Sequence, residues 1–151
     1  MTSDTASRSL PRFNHVAMSV SADLLDEKGR GEILAFYAEV FGWGEMPTTT
    51  KDREIFVLRA QRDDQFVFLV ADDEPMRCPK LDHFGMAVDR PEELDLILAR
   101  AEKYREKDPR VEIIDRKTDD HGVVKLHSFY VRYLLPMMIE VQCFEWAERQ
   151  N

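Results

Sequence analysis

The chain has four histidines, and two of them stand at matching places in a repeat. His15 lies in Phe13-Asn14-His15-Val16-Ala17-Met18-Ser19-Val20, and His83 in Leu81-Asp82-His83-Phe84-Gly85-Met86-Ala87-Val88. The two stretches share His, Met and Val in register, with a small residue, Ala17 or Gly85, two places after each histidine. An imidazole nitrogen is both a metal ligand and a proton carrier near neutral pH. Two such groups at equivalent points of a duplicated unit can converge on one site. The third residue of interest is Glu140, set in Leu134-Leu135-Pro136-Met137-Met138-Ile139-Glu140-Val141, the most apolar stretch of the chain. An unpaired carboxylate buried there would cost several kcal/mol, so it lies on a wet face of its strand or meets a cation. Two histidines and one carboxylate are the donor set of non-haem Fe(II) sites, which leave positions open for substrate and dioxygen. The same donors suit Mn, Zn, Ni and Co.

The elements that must position these residues follow from hydrophobic spacing. Phe13–Val20 reads as a strand, and Ser21–Arg30 as a polar loop leading to a helix. Ile33, Phe36, Tyr37, Val40 and Phe41 fall at three- and four-residue spacings, one stripe of an amphipathic helix over Gly31–Phe41. Gly42 is well placed to end it. Three short strands are predicted around Glu45–Thr49, Glu54–Ala60 and Gln65–Ala71. After the acidic, proline-bearing stretch 72–80 the order repeats. Leu81–Val88 is a strand and Pro91 a first-turn residue. Leu94, Ile97, Leu98, Ala101 and Tyr104 form a second helical stripe, and strands are expected near Val111–Asp115, Val123–Arg132 and Met137–Phe144. The pattern predicts an α+β fold of two tandem βαβββ modules forming an open, curved mixed sheet around a concave site. Module one spans 11–72, the linker 72–80 and module two 80–147, within one domain over 11–151, after a disordered tail over 1–10.

The net charge of −8 argues against nucleic acid or an anionic membrane surface as partner, since both need a basic face. No apolar run approaches the ~20 residues of a bilayer span, and the N-terminus lacks signal-peptide character. A cytoplasmic location is the expectation. Cys78 and Cys143 read as free thiols, Cys143 buried on a strand, although a single bridge between them stays open.

The paired βαβββ pattern, with a histidine on the first strand of each half and Glu140 on the last strand, resembles the vicinal oxygen chelate superfamily. That group includes glyoxalase I, bleomycin-resistance proteins, methylmalonyl-CoA epimerase and type I extradiol dioxygenases. The resemblance covers about Phe13 to Trp146, and Phe41-Gly42-Trp43 at the end of helix one belongs to it. It implies a divalent metal held by His15, His83 and Glu140, with Fe(II) favoured and Mn, Zn, Ni or Co as alternatives. It also implies a small-molecule substrate and a homodimer, for which the apolar Tyr133-Leu134-Leu135 and Met137-Met138 offer a contact.

Module two resembles the dioxygenase branch through His121, the pair Phe129-Tyr130, Pro136 and Glu140. It departs from that branch at the turn Tyr133-Leu134-Leu135-Pro136, which has no glycine and no acidic residue. The resemblance makes His121 the acid/base and Tyr130 a hydrogen-bond donor to bound oxygen. Aligning Phe66-Val67-Phe68-Leu69-Val70 with Met137-Met138-Ile139-Glu140-Val141 puts Leu69 where glyoxalase I has a further carboxylate ligand, which fits an open three-ligand site. By alternation Arg132 shares the face of Tyr130, there to anchor an anionic substrate group or to pair with a carboxylate, while His127 takes the other face. Phe66 and Phe68 would contact the substrate. The expected function is an extradiol-type dioxygenase acting on vicinal oxygens. The alternatives are a metal-free binding protein for an aromatic ligand, or a glyoxalase-type lyase or epimerase.

Overall fold

The computed structural model describes residues 10–147, so the tail predicted over 1–10 lies outside the described residues apart from Leu10. Strand β1 (His15–Val20) buries Met18 and Val20 and turns His15 outward. A single 3-10 turn (Ala22–Leu25) follows, and helix α1 runs over Glu27–Phe41, four residues longer at its start than the apolar stripe predicts. The stretch Ser21–Arg30 is therefore no simple loop. Asp26 caps α1 by accepting from the Gly29 N–H at 2.7 Å. Gly29 meets the turn so closely that a Cβ would fall 2.1 Å from the Leu24 carbonyl oxygen. The charged residues of this first turn face solvent, so hydrophobic spacing alone misses it. At the other end Gly42 takes a left-handed φ of 72° and returns its N–H to the Ala38 carbonyl at 3.0 Å.

Strands β2 (Gly44–Glu45), β3 (Ile55–Arg59) and β4 (Phe66–Ala71) complete module one. β2 is far shorter than predicted, because Thr48 adopts a positive φ of 63° and the chain turns away. Module two repeats the order with β5 (His83–Ala87), α2 (Pro91–Lys107), β6 (Glu112–Asp120), β7 (Val124–Arg132) and β8 (Met138–Trp146). Pro91 opens α2, and the Glu93 carboxylate accepts from the Arg90 backbone N–H. β6 extends to Asp120, past an irregularity between Ile114 and Lys117.

The duplication is exact at the level of topology. Each module is a four-stranded sheet, ordered β1-β4-β3-β2 and β5-β8-β7-β6, with one parallel pair and two antiparallel pairs. The curved sheet is thus two sheets, in which β1 and β5 are edge strands.

One hydrophobic cluster joins the modules. Phe36 of α1 stacks on Tyr133, with ring centroids 4.7 Å apart, and meets Tyr104 of α2 edge-on at 5.0 Å. The buried Tyr37 hydroxyl donates to the Tyr133 carbonyl at 3.0 Å. Exposed ion pairs Lys107–Glu39 and Arg110–Glu32 rim the same contact. Tyr133, Leu135 and Met138 are consumed by this core and by β8, each at most 3 % exposed. These three are closed to a dimer contact, while Leu134 and Met137 of the same stretch are only partly buried. Cys143 is buried on β8, and both cysteines are free.

Candidate metal centre

Alternation along β8 puts Met138, Glu140 and Gln142 on one face, with Ile139, Val141 and Cys143 packed toward the core. Glu140 lies opposite Gly85 of β5 on one side and opposite Tyr130 of β7 on the other. It is only 5 % exposed, and its one ion-pair partner among the described residues is His83. The Tyr130 hydroxyl donates to Glu140 Oε1 at 2.8 Å, and the Gln142 side-chain amide donates to Oε2. His83 Nε2 lies 3.1 Å from the same Oε2. Burial, then the hydrogen bond and charge of Glu140, push the Tyr130 phenol up to about 12, so it remains a donor across the neutral range.

The tautomer of His83 follows from its other nitrogen. Nδ1 lies 2.8 Å from the Leu81 carbonyl oxygen, which can only accept, so Nδ1 carries the proton. In the neutral ring Nε2 then directs a lone pair at a carboxylate oxygen that also holds lone pairs. A shared proton or a cation bound to both atoms satisfies that pair. His15 is set the same way, with Nδ1 2.7 Å from Asn14 Oδ1. Its ring stacks on Phe66 at 4.8 Å and 3°. In both repeated histidines Nδ1 is thus the nitrogen that donates, leaving the Nε2 lone pair for a ligand, the arrangement ligating histidines adopt.

The structure brings His83, Glu140 and Tyr130 together. His15 stands in a cleft of 230 Å³ that it shares with Phe84, Gly85 and Met86 of β5. Among the described residues no three His, Cys, Asp or Glu side chains group closely enough to hold one metal ion, so His15 does not close on the pair. His121 lies just past β6, in the turn before β7. There its backbone N–H donates to the Val124 carbonyl at 2.9 Å, at the end of the strand that carries Tyr130. Arg132 gives both Nη2 and Nε to Glu112 and Nη1 to the Pro136 carbonyl, and so is taken up by structure. His127 lies on the opposite face, tied to Thr118 and Glu145.

Register corrects the comparison of the two halves. His15 pairs with Phe66 as His83 pairs with Met138, so the counterpart of Glu140 is Phe68, not Leu69. Leu69 is fully buried, one residue away on the core face. The conclusion that module one offers no carboxylate there is unchanged; Phe66 lines the cleft beside His15, while Phe68 is not among its lining residues. Gln142 went unnoticed in the sequence. Its signal was its position two residues after Glu140, which on a strand means the same face.

Each sheet, ordered 1-4-3-2 with its helix on one side, is laid out like its copy and carries a histidine at the start of its first strand. Solved structures share this architecture over most of their length. A lactoylglutathione lyase from Agrobacterium tumefaciens superposes with a TM-score of 0.60 at 17% identity, covering 87% of this chain and 92% of that one. The chain has the vicinal oxygen chelate fold. A glyoxalase/bleomycin resistance protein/dioxygenase from Alicyclobacillus acidocaldarius gives 0.60 at 16% identity, covering 91% and 94%. A genomically encoded fosfomycin resistance protein, FosX, from Listeria monocytogenes gives 0.59 at 15%, covering 89% and 94%. No family model matches the sequence, and no curated protein matches it closely. At these identities the vicinal oxygen chelate likeness is one of fold.

Proposed function

We propose that the chain is a metal-dependent enzyme of the vicinal oxygen chelate type, a ring-cleaving dioxygenase for a small substrate with two adjacent oxygens. The observation that carries this reading is the facing of His83 Nε2 and Glu140 Oε2, two acceptors 3.1 Å apart with Nδ1 already committed as donor. A divalent cation suits that pair, and His15, with its own Nε2 free, is the third ligand of the reading. Bound there, such an ion (Fe(II) first, with Mn, Zn, Ni and Co sharing the donors) supplies Lewis-acid polarisation of substrate oxygens and a route to dioxygen.

The chain's own residues do the positioning. The Leu81 carbonyl holds one tautomer of His83, while Tyr130 and Gln142 hold the rotation of the Glu140 carboxylate. Tyr130, kept protonated, gives its one O–H to Glu140, and in this reading passes that donation to a substrate oxygen when the carboxylate turns to the ion. His121, in the turn before β7, is the acid/base of this reading. β1 and β5 flank one cleft as edge strands, so His15 reaches the pair by a shift of the modules or from a second copy of the chain. A homodimer enters the reading at that point, and a cytoplasmic setting belongs to it. Among the described residues no helix is long and apolar enough to cross a membrane.

The open position of His15 favours a second reading, a metal-free protein that sequesters an aromatic ligand. Elemental analysis after chelator-free purification, with Mn(II) titration of the chain and of Glu140→Gln, separates the two. The enzyme reading expects one ion per site and affinity weakened at least tenfold in the variant. Absence of metal uptake, or equal affinity in both proteins, overturns it. Oxygen consumption with catechol then divides a dioxygenase from a lyase or epimerase, which would use the same ligands without O₂.

A further inference from the structure

The cleft between the two modules has a lining that selects by charge. Among the described residues its polar side chains are Asn14, His15, Gln61 and Gln65, with no Lys, Arg, Asp or Glu in the lining. Trp43 and Phe66 supply aromatic walls. We infer that this cleft binds an uncharged, single-ring aromatic molecule carrying hydrogen-bonding substituents. The inference rests on the metal-centre reading only in taking that molecule for the substrate.

Size sets the first limit. A cavity of about 150 Å³ holds benzene, and drug-sized ligands fill roughly 300 Å³ and more. At 230 Å³ the cleft suits one substituted ring. Side-chain amides offer donors and acceptors together without net charge, so they match hydroxyl or amide groups on such a ring. The His15 ring, flat against Phe66, extends the stacking surface.

Electrostatics sets the second limit. The arginines nearest in sequence to the lining are each matched by a carboxylate: Arg59 by Asp63 at 3.0 Å, Arg62 by Asp64 at 3.3 Å, and Arg12 by Asp64. Arg132 is likewise held by Glu112. An anion entering the metal-free cleft would lose its hydration and find no lysine or arginine among the described lining residues in exchange, inside a chain of net charge −8. A phosphonate, a carboxylate or a glutathione adduct is therefore a poor occupant.

The chain provides its own reporter. It has two tryptophans: Trp43, 5 % exposed at the cleft, and Trp146, 67 % exposed on β8. Trp146→Phe leaves Trp43 alone. Its fluorescence lifetime is titrated with catechol and with protocatechuate, in metal-stripped and Mn(II)-loaded protein, and saturation-transfer NMR on the unaltered chain measures the same pair independently. The expected result is saturable catechol binding in both forms and protocatechuate weaker by about tenfold or more. Gln65→Lys should narrow or reverse that ratio. Equal or tighter protocatechuate binding, no saturable catechol binding, or a ratio indifferent to Gln65→Lys overturns the inference. Catechol binding that needs Mn(II) also overturns it. Catechol binding retained in a protein that takes up no metal overturns the metal reading alone.

Discussion

Tyr130 and Glu140 stand directly opposite each other in the β7–β8 ladder, and the phenol donates to Oε1 at 2.8 Å. The Tyr130 ring also meets His83 edge-on, with centroids 5.0 Å apart. One tyrosine thus touches both members of the candidate ligand pair.

Tyr130→Phe keeps the ring and deletes only the donor. Glu140 then loses one of the two neutral hydrogen bonds that orient it, and divalent-ion affinity should fall about 10- to 100-fold. Stability should drop by only about 1 kcal/mol, the net worth of one hydrogen bond. Mn(II) calorimetry beside urea denaturation measures both. Unchanged affinity with lowered stability would make the contact purely structural.

Phe36 joins the modules, being fully buried between Tyr104 and Tyr133. Phe36→Ala should cost about 3–5 kcal/mol. Because the cluster is continuous, both modules should unfold in one transition, and the variant should shift that transition whole. Two separated transitions by near- and far-UV circular dichroism would contradict the shared core.

Asp108 carries the acid dependence of the same junction. Hydrogen bonds from Arg110, then from the Tyr133 hydroxyl, hold its carboxyl well below the usual carboxylate range. A depressed folded value means stability that is fully present above the unfolded value, roughly 3.9, and lost as pH falls below it. Asp108→Asn should therefore lower the urea midpoint at pH 7, and the two proteins should converge as pH falls from about 5 toward 2. A gap that stays constant across this range would remove Asp108 from the acid response.

Much of this was legible in residue order. Period-two and period-3.6 spacing located both helices and every strand, and the copy of His15 at His83 announced the duplication before any topology was known. Glu140 was legible as an anomaly, since a carboxylate among apolar residues must be matched by something. What went unread lay where polar residues do structural work. The first turn of α1 is made by Asp26 and Gly29 and shows no apolar stripe. The Leu69 alignment slipped by one residue, which on a strand is the difference between core and site.

The sequence by itself determined the modules, their order and the residue types available for metal chemistry, because hydrophobic periodicity and a repeat are local properties. Only the tertiary structure decided which of those residues meet. Ladder register set Glu140 against Tyr130 and Gly85, the Leu81 carbonyl chose the tautomer of His83, and the unjoined edges of β1 and β5 left His15 across a cleft. Strand register and sheet packing are long-range relations, set by which faces can be buried together, and no window of sequence contains them.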